Sequence, residues 1–196
     1  MSETDTAKNL DRILVSSSQT RLVAATTVRE RICYIDEALL VAEIEDTCVA
    51  IWRAQPTEYR FERQEAALCE VIARHTDPIG FLCVVEEKTP APSERIRKAS
   101  VEMLASRKQH LACIAGVICD RGFGAAITRS VLSGMAFLLS RRDFRVTFTD
   151  TTTHAATWMN RYVNIGSVDA YCAAIESCRA LSAQYPVKKV MPLQTP

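Results

Sequence analysis

The chain has no excess of charge of either sign. Its 196 residues carry 24 Lys and Arg against 23 Asp and Glu, a formal net charge of +1. Nucleic-acid binding usually shows as a basic surplus gathered on one face. The densest basic spots here are the pairs Arg141-Arg142 and Lys188-Lys189, so no nucleic-acid partner is expected. No secretory leader is expected, since the chain opens Met-Ser-Glu-Thr-Asp-Thr without an apolar core. A cytoplasmic protein is therefore expected. The longest apolar stretch, Gly122 to Leu139, contains Thr128, Arg129, Ser130 and Ser133. A membrane span needs about 20 consecutive apolar residues and tolerates a central Arg poorly. The stretch reads instead as a buried helix, and no membrane span is expected. No internal repeat is present. The three histidines, His75, His110 and His154, have no second His or Cys at metal-ligand spacing. Neither a metal nor a cofactor is expected.

What the chain does have is apolar residues, 48% of the total, and eight cysteines. Cys48, Cys83, Cys113 and Cys119 fall inside apolar runs, where a free thiol behaves as a small buried hydrophobe. They read as reduced core thiols rather than half-cystines. The apolar runs alternate with segments of helical periodicity, which is the signature of strand-helix-strand crossovers and a largely parallel sheet. Ala38 to Ile44 and Cys48 to Arg53, joined through Asp46, predict an antiparallel hairpin. Thr57 is placed to cap a helix to about His75, with Phe61, Ala66, Leu68, Cys69, Ile72 and Ala73 near one face. Asp77-Pro78 ends it. Ile79 to Val85 reads as a strand buried on both faces. Ser93 caps a helix from Glu94 to about Gln109, with Ile96, Ala99, Val101, Met103 and Leu104 among its apolar positions.

Leu111 to Cys119 predicts the next strand, followed by the apolar helix of about 125–141. Being apolar nearly all round, that helix must be covered on most sides, by the C-terminal helix or by a second chain. Phe144 to Thr149 is the last strand. Asp150 and Thr151 to Thr153 cap a helix that Asn164-Ile165-Gly166 stops. Ser167 opens a final helix to about Gln184, with Val168, Tyr171, Cys172, Ile175 and Leu181 on one stripe. The expected organisation is an N-terminal mobile arm over 1–28, an α/β domain over 29–163, an additional helix within 164–185 and a tail over 186–196.

The order hairpin, helix, strand, helix, strand, apolar helix, strand, helix resembles the STAS domain, the family of sulphate-transporter and anti-sigma factor antagonist domains. Phe144-Arg145-Val146-Thr147-Phe148 and Thr153-His154-Ala155-Ala156-Thr157-Trp158 look like the closing strand and helix of SpoIIAA-like bacterial chains. The resemblance covers about residues 36–163. It implies a STAS-like mixed, largely parallel sheet with an antiparallel entry hairpin. It also implies a non-enzymatic regulatory role through protein–protein contact or self-association. Many members carry an Asp-Ser motif after the central strand, whose serine a partner kinase phosphorylates. The equivalent stretch here, Val85 to Ser93, lacks that motif and offers only the hydroxyls of Thr89 and Ser93 as regulatory phosphosites.

Other readings stay open. A phosphate on Ser93 would be stabilised at a helix N-terminus, but Ser93 also serves simply as an N-cap. The turn Asp120-Arg121-Gly122-Phe123-Gly124 joins a strand to a helix N-terminus, where anions can bind. It lacks the Gly-Lys-Ser/Thr of a phosphate loop and the third glycine of a dinucleotide fingerprint, and it also reads as a plain tight turn. A small-molecule or catalytic α/β domain built on Asp120, Arg121, Gly122 and Gly124 is the alternative to a regulatory one. A structural homodimer is the third reading. A cysteine nucleophile served by His154 is the remaining chemical option, opposed by the buried character of the thiols.

Overall fold

The computed structural model describes residues 28–119, 130, 134, 135, 137–141 and 143–185. The Asp120–Gly124 turn, the N-terminal arm to residue 27 and the proline-bearing tail from 186 lie outside them.

The described residues form one six-stranded mixed sheet in simple sequential order. Strand β1 is Glu30–Ile35, β2 is Leu39–Ile44, β3 is Thr47–Trp52, β4 is Ile79–Val85, β5 is Leu111–Ile118 and β6 is Val146–Thr149. The pairs β1-β2 and β2-β3 are antiparallel, and β3 to β6 are parallel. The predicted hairpin is β2-β3, closed by the two residues Glu45 and Asp46 between the paired Ile44 and Thr47. Strand β1 is an addition to the expected elements. It is an edge strand beginning on the exposed Glu30 and Arg31, so charge masks its period. Asp36 fixes its turn into β2, accepting from the backbone N–H groups of Ala38 (2.7 Å) and Leu39 (2.8 Å).

Helix α1 is Glu58–Arg74, α2 is Glu94–Ser106, α3 is Thr152–Met159 and α4 is Val168–Ala183. Each starts where a hydroxyl is available to cap it. Thr57, Ser93, Thr151 and Ser167 accept from the N–H of Arg60, Ile96, His154 and Ala170 respectively, each satisfying one orphan donor of a first turn. Helix α2 is shorter than expected and gives way to a 3-10 turn at Lys108–His110. Helix α3 ends at Met159, before the Asn164–Gly166 stop, and the chain turns through residues 160–163 first.

Topology decides which face each helix covers. Parallel strands that are spatial neighbours in sequence order, joined by crossovers of the usual hand, place all those crossovers on one side. Accordingly α1, α2 and the helical residues Met135 and Leu139 pack on one face, against Val41, Cys48, Phe81 and Ile114. The opposite face carries Leu40, Val49, Leu82 and Val117, and it is covered by α3 and α4. Alternate residues of β3 and β4 therefore feed two cores, which is why these strands read as unbroken apolar runs.

Two helix assignments need correction. The buried stripe of α1 is Phe61, Gln64, Ala67, Leu68 and Val71, while Ala66, Cys69 and Ala73 are exposed. A polar residue belongs to the stripe because Trp52 Nε1–H donates to Gln64 Oε1 at 2.8 Å. The described part of the 125–141 helix is not covered by α4, which lies across the sheet from it. That helix is also not buried all round, since Phe137 and Leu138 point outward, 62% and 49% exposed.

Candidate functional site

Loops at the carboxyl ends of parallel strands are where open α/β sheets place their sites. Here these are the segments after Trp52, Val85 and Ile118. The loop after β4 turns tightly, with Thr89 N–H donating to the Glu86 carbonyl at 3.2 Å and Lys88 at a φ of 64°. Thr89 is buried, and its hydroxyl donates to the Trp52 carbonyl at 3.1 Å. It braces β3 against this loop, and a phosphate there would require the brace to open. Ser93 is exposed, and its Oγ accepts from Ile96 N–H at 3.3 Å. The two candidate hydroxyls thus differ: Thr89 is committed inward, while Ser93 is presented at the first turn of α2.

Helix α2 forms one wall of an open groove whose other wall is the described part of the following helix. Glu94, Arg97, Lys98 and Glu102 rim it, and Val101, Phe137 and Leu138 line it. Arg141 lies over the Phe137 ring at 5.7 Å. Sequence reading misses this surface. When a helix is apolar on every side, periodicity cannot say which residues face out.

On the second face, a polar cluster lies at the same end of the sheet. Arg179 of α4 bonds Glu86 at 2.6 Å and Cys119 Sγ at 3.0 Å, and it also reaches Glu176. Arg53 donates to the carbonyls of Ser182 and Tyr185. Burial pushes the Cys119 thiol up to about 11, with Glu86 adding to it and Arg179 opposing. Cys83 and Cys113 are pushed by burial to about 12 and Cys48 well above its ordinary value. These thiols stay protonated at neutral pH, and the nucleophile is the thiolate. All eight cysteines are free, with Cys48, Cys113 and Cys178 buried and Cys69 exposed. His154 bonds Asp150 at 3.2 Å on the exposed first turn of α3. His75 caps α1 and bonds Glu43 at 2.9 Å.

Among the described residues, no group of three or more His, Cys, Asp or Glu is placed to hold a metal ion. No described helix is long and apolar enough to cross a membrane. No family model, curated protein or solved structure matches this chain.

Proposed function

We propose that this protein is a cytoplasmic, non-enzymatic regulatory domain of STAS-like character that works by binding a partner protein along α2. The observation that carries this reading is the groove rimmed by Glu94, Arg97, Lys98 and Glu102 with the exposed Phe137 and Leu138 on its wall. Large apolar side chains gathered within a charged rim are characteristic of protein interfaces. Ser93 opens the same helix and is exposed, so a charge change there lies at the end of the surface being recognised. A phosphate at that position would gain from the α2 N-terminus.

The test is affinity capture from the native lysate with wild-type protein and with Phe137→Asp, side by side. The expected result is a specific protein retained by the wild type and lost at least tenfold with the variant, whose thermal midpoint is unchanged. Recovery of the same proteins by both baits, or of none, would overturn the reading. Ser93→Asp then asks whether charge at the head of α2 modulates that binding.

A further inference from the structure

The sheet holds a space that neither the groove nor the polar cluster uses. Strand register sets Ala50, Cys83, Gly116 and Phe148 in one row across β3, β4, β5 and β6. The row below is Cys48, Phe81, Ile114 and Val146, and the row above begins with Trp52 and Val85. A row of mostly small residues therefore runs between two bulkier ones on the face that α1 and α2 cover. The helices do not fill the gap. Between them and the sheet remains a cavity of about 100 Å³, floored by Cys83, Gly116 and Phe148 and roofed by Phe61, Met103 and Met135. Cys83 keeps accessible surface although it lies mid-sheet, and it lines this space. Gly116 allows the arrangement: a Cβ there would meet the Phe148 ring at 2.3 Å.

The chemistry of the lining is one-sided. Among the described residues that line it, none carries a charged side chain. Three of its polar groups are engaged elsewhere: the Gln64 amide oxygen accepts from Trp52, the Thr89 hydroxyl donates to the Trp52 carbonyl, and the Ser100 hydroxyl donates to the Ile96 carbonyl at 2.8 Å. A charged ligand would lose its water with nothing to replace it. An apolar one loses little and gains contact on all sides. Pro56, Pro90 and Pro92, from the loops after β3 and β4, also border the space. It therefore lies toward the sheet end where α/β folds take ligands. We propose that this cavity binds a small, uncharged, apolar molecule, such as a single aromatic ring or a short aliphatic chain. Its size is of the same order as the engineered apolar cavity of about 150 Å³ that stays dry and takes up benzene.

The methionines make the test direct. Met103 and Met135 border the cavity, whereas Met159 packs on the opposite face of the sheet. The full chain, labelled with 13C at the methionine methyls, is titrated with benzene and followed by NMR. Saturable shifts of the Met103 and Met135 resonances are expected, with Met159 unmoved and with no comparable response to benzoate. Cys83→Leu fills the space from the floor and should weaken the benzene response at least tenfold. If that variant fails to fold, Ser100→Leu fills the space from the roof and is read in the same way. The proposal is overturned if Met103 and Met135 stay fixed up to the solubility limit of benzene. It is equally overturned if benzoate matches benzene, or if a folded filling variant responds as the wild type does.

Discussion

Gly80 shows how closely single residues are fitted. It lies on β4 beneath α3, where an added Cβ would meet the Met159 methyl at 2.6 Å and methyls of Thr47 and Val163 at 3.1 Å. The methionine end can move, but the two β-branched neighbours cannot easily do so. Gly80→Ala should therefore lower unfolding stability by about 1 to 3 kcal/mol, measured by urea denaturation. Asp36 is the second such point. Burial alone would raise its pKa, but hydrogen bonds from Ala38, Arg60, Leu39 and Tyr34 outweigh that and hold it below the ordinary 3.8. A carboxylate depressed in the folded state adds stability that is fully present above its unfolded pKa. That stability is lost as pH falls through the lower folded value. Asp36→Asn should remove this part of the acid dependence below about pH 4 and flatten the curve there, read as denaturation midpoints from pH 7 to 3. Hydroxyl caps such as Ser93 are legible in the sequence because a Ser or Thr before a helical run has one main local use. The cavity floor is not. Gly116 inside a strand run is a visible signal of close approach, but its meaning needs the lateral register that sets it between Cys83 and Phe148.

At the scale of elements, strands buried on both faces are the easiest to read and the edges the hardest. The strand expected over Ile79 to Val85 matches β4 residue for residue, since a continuous apolar run leaves few alternatives. Strand β1 is hidden by its charged start, and periodicity misplaces the face of α1 because Gln64 belongs inside and Cys69 does not. The joint between α3 and α4 depends on Gly166, whose φ of +69° suits glycine and whose N–H donates to Asn164 Oδ1 at 3.0 Å. No atom crowds a Cβ there, so Gly166→Ala tests backbone strain alone. A loss of about 1 kcal/mol is expected, by the same denaturation measurement. A larger loss would mean that the joint also moves α4 off the sheet.

Across the whole molecule, the described chain forms a sheet with two unlike covers. The first face is roofed by crossovers that the topology must supply. Among the described residues, the helices on the second are those C-terminal to β6, so α4 is as much a part of the core as any strand. Tyr171, Ile175 and Cys178 are fully buried against it. Thr47 ties the early strands to the last helix. Its hydroxyl donates to the Ile44 carbonyl at 2.6 Å and so must accept from Tyr171 at 2.7 Å. Removal of residues 167–196 should expose Leu40, Val49 and Ile51 and leave an aggregating or expanded species, seen by size-exclusion chromatography and loss of near-UV circular dichroism. A monomeric truncated form with native near-UV signal would contradict a core role for α4.

The Thr47–Tyr171 bond spans 124 residues, and its consequence is one of time. A ribosome delivers the three antiparallel strands early, while α3 and α4, which dry their second face, emerge after all six strands. Until they do, that face is wet, and contacts so distant along the chain make for slow closure. The nascent chain is thus exposed to association with its neighbours until α4 arrives, and its need for a chaperone should be greatest before α4 has emerged.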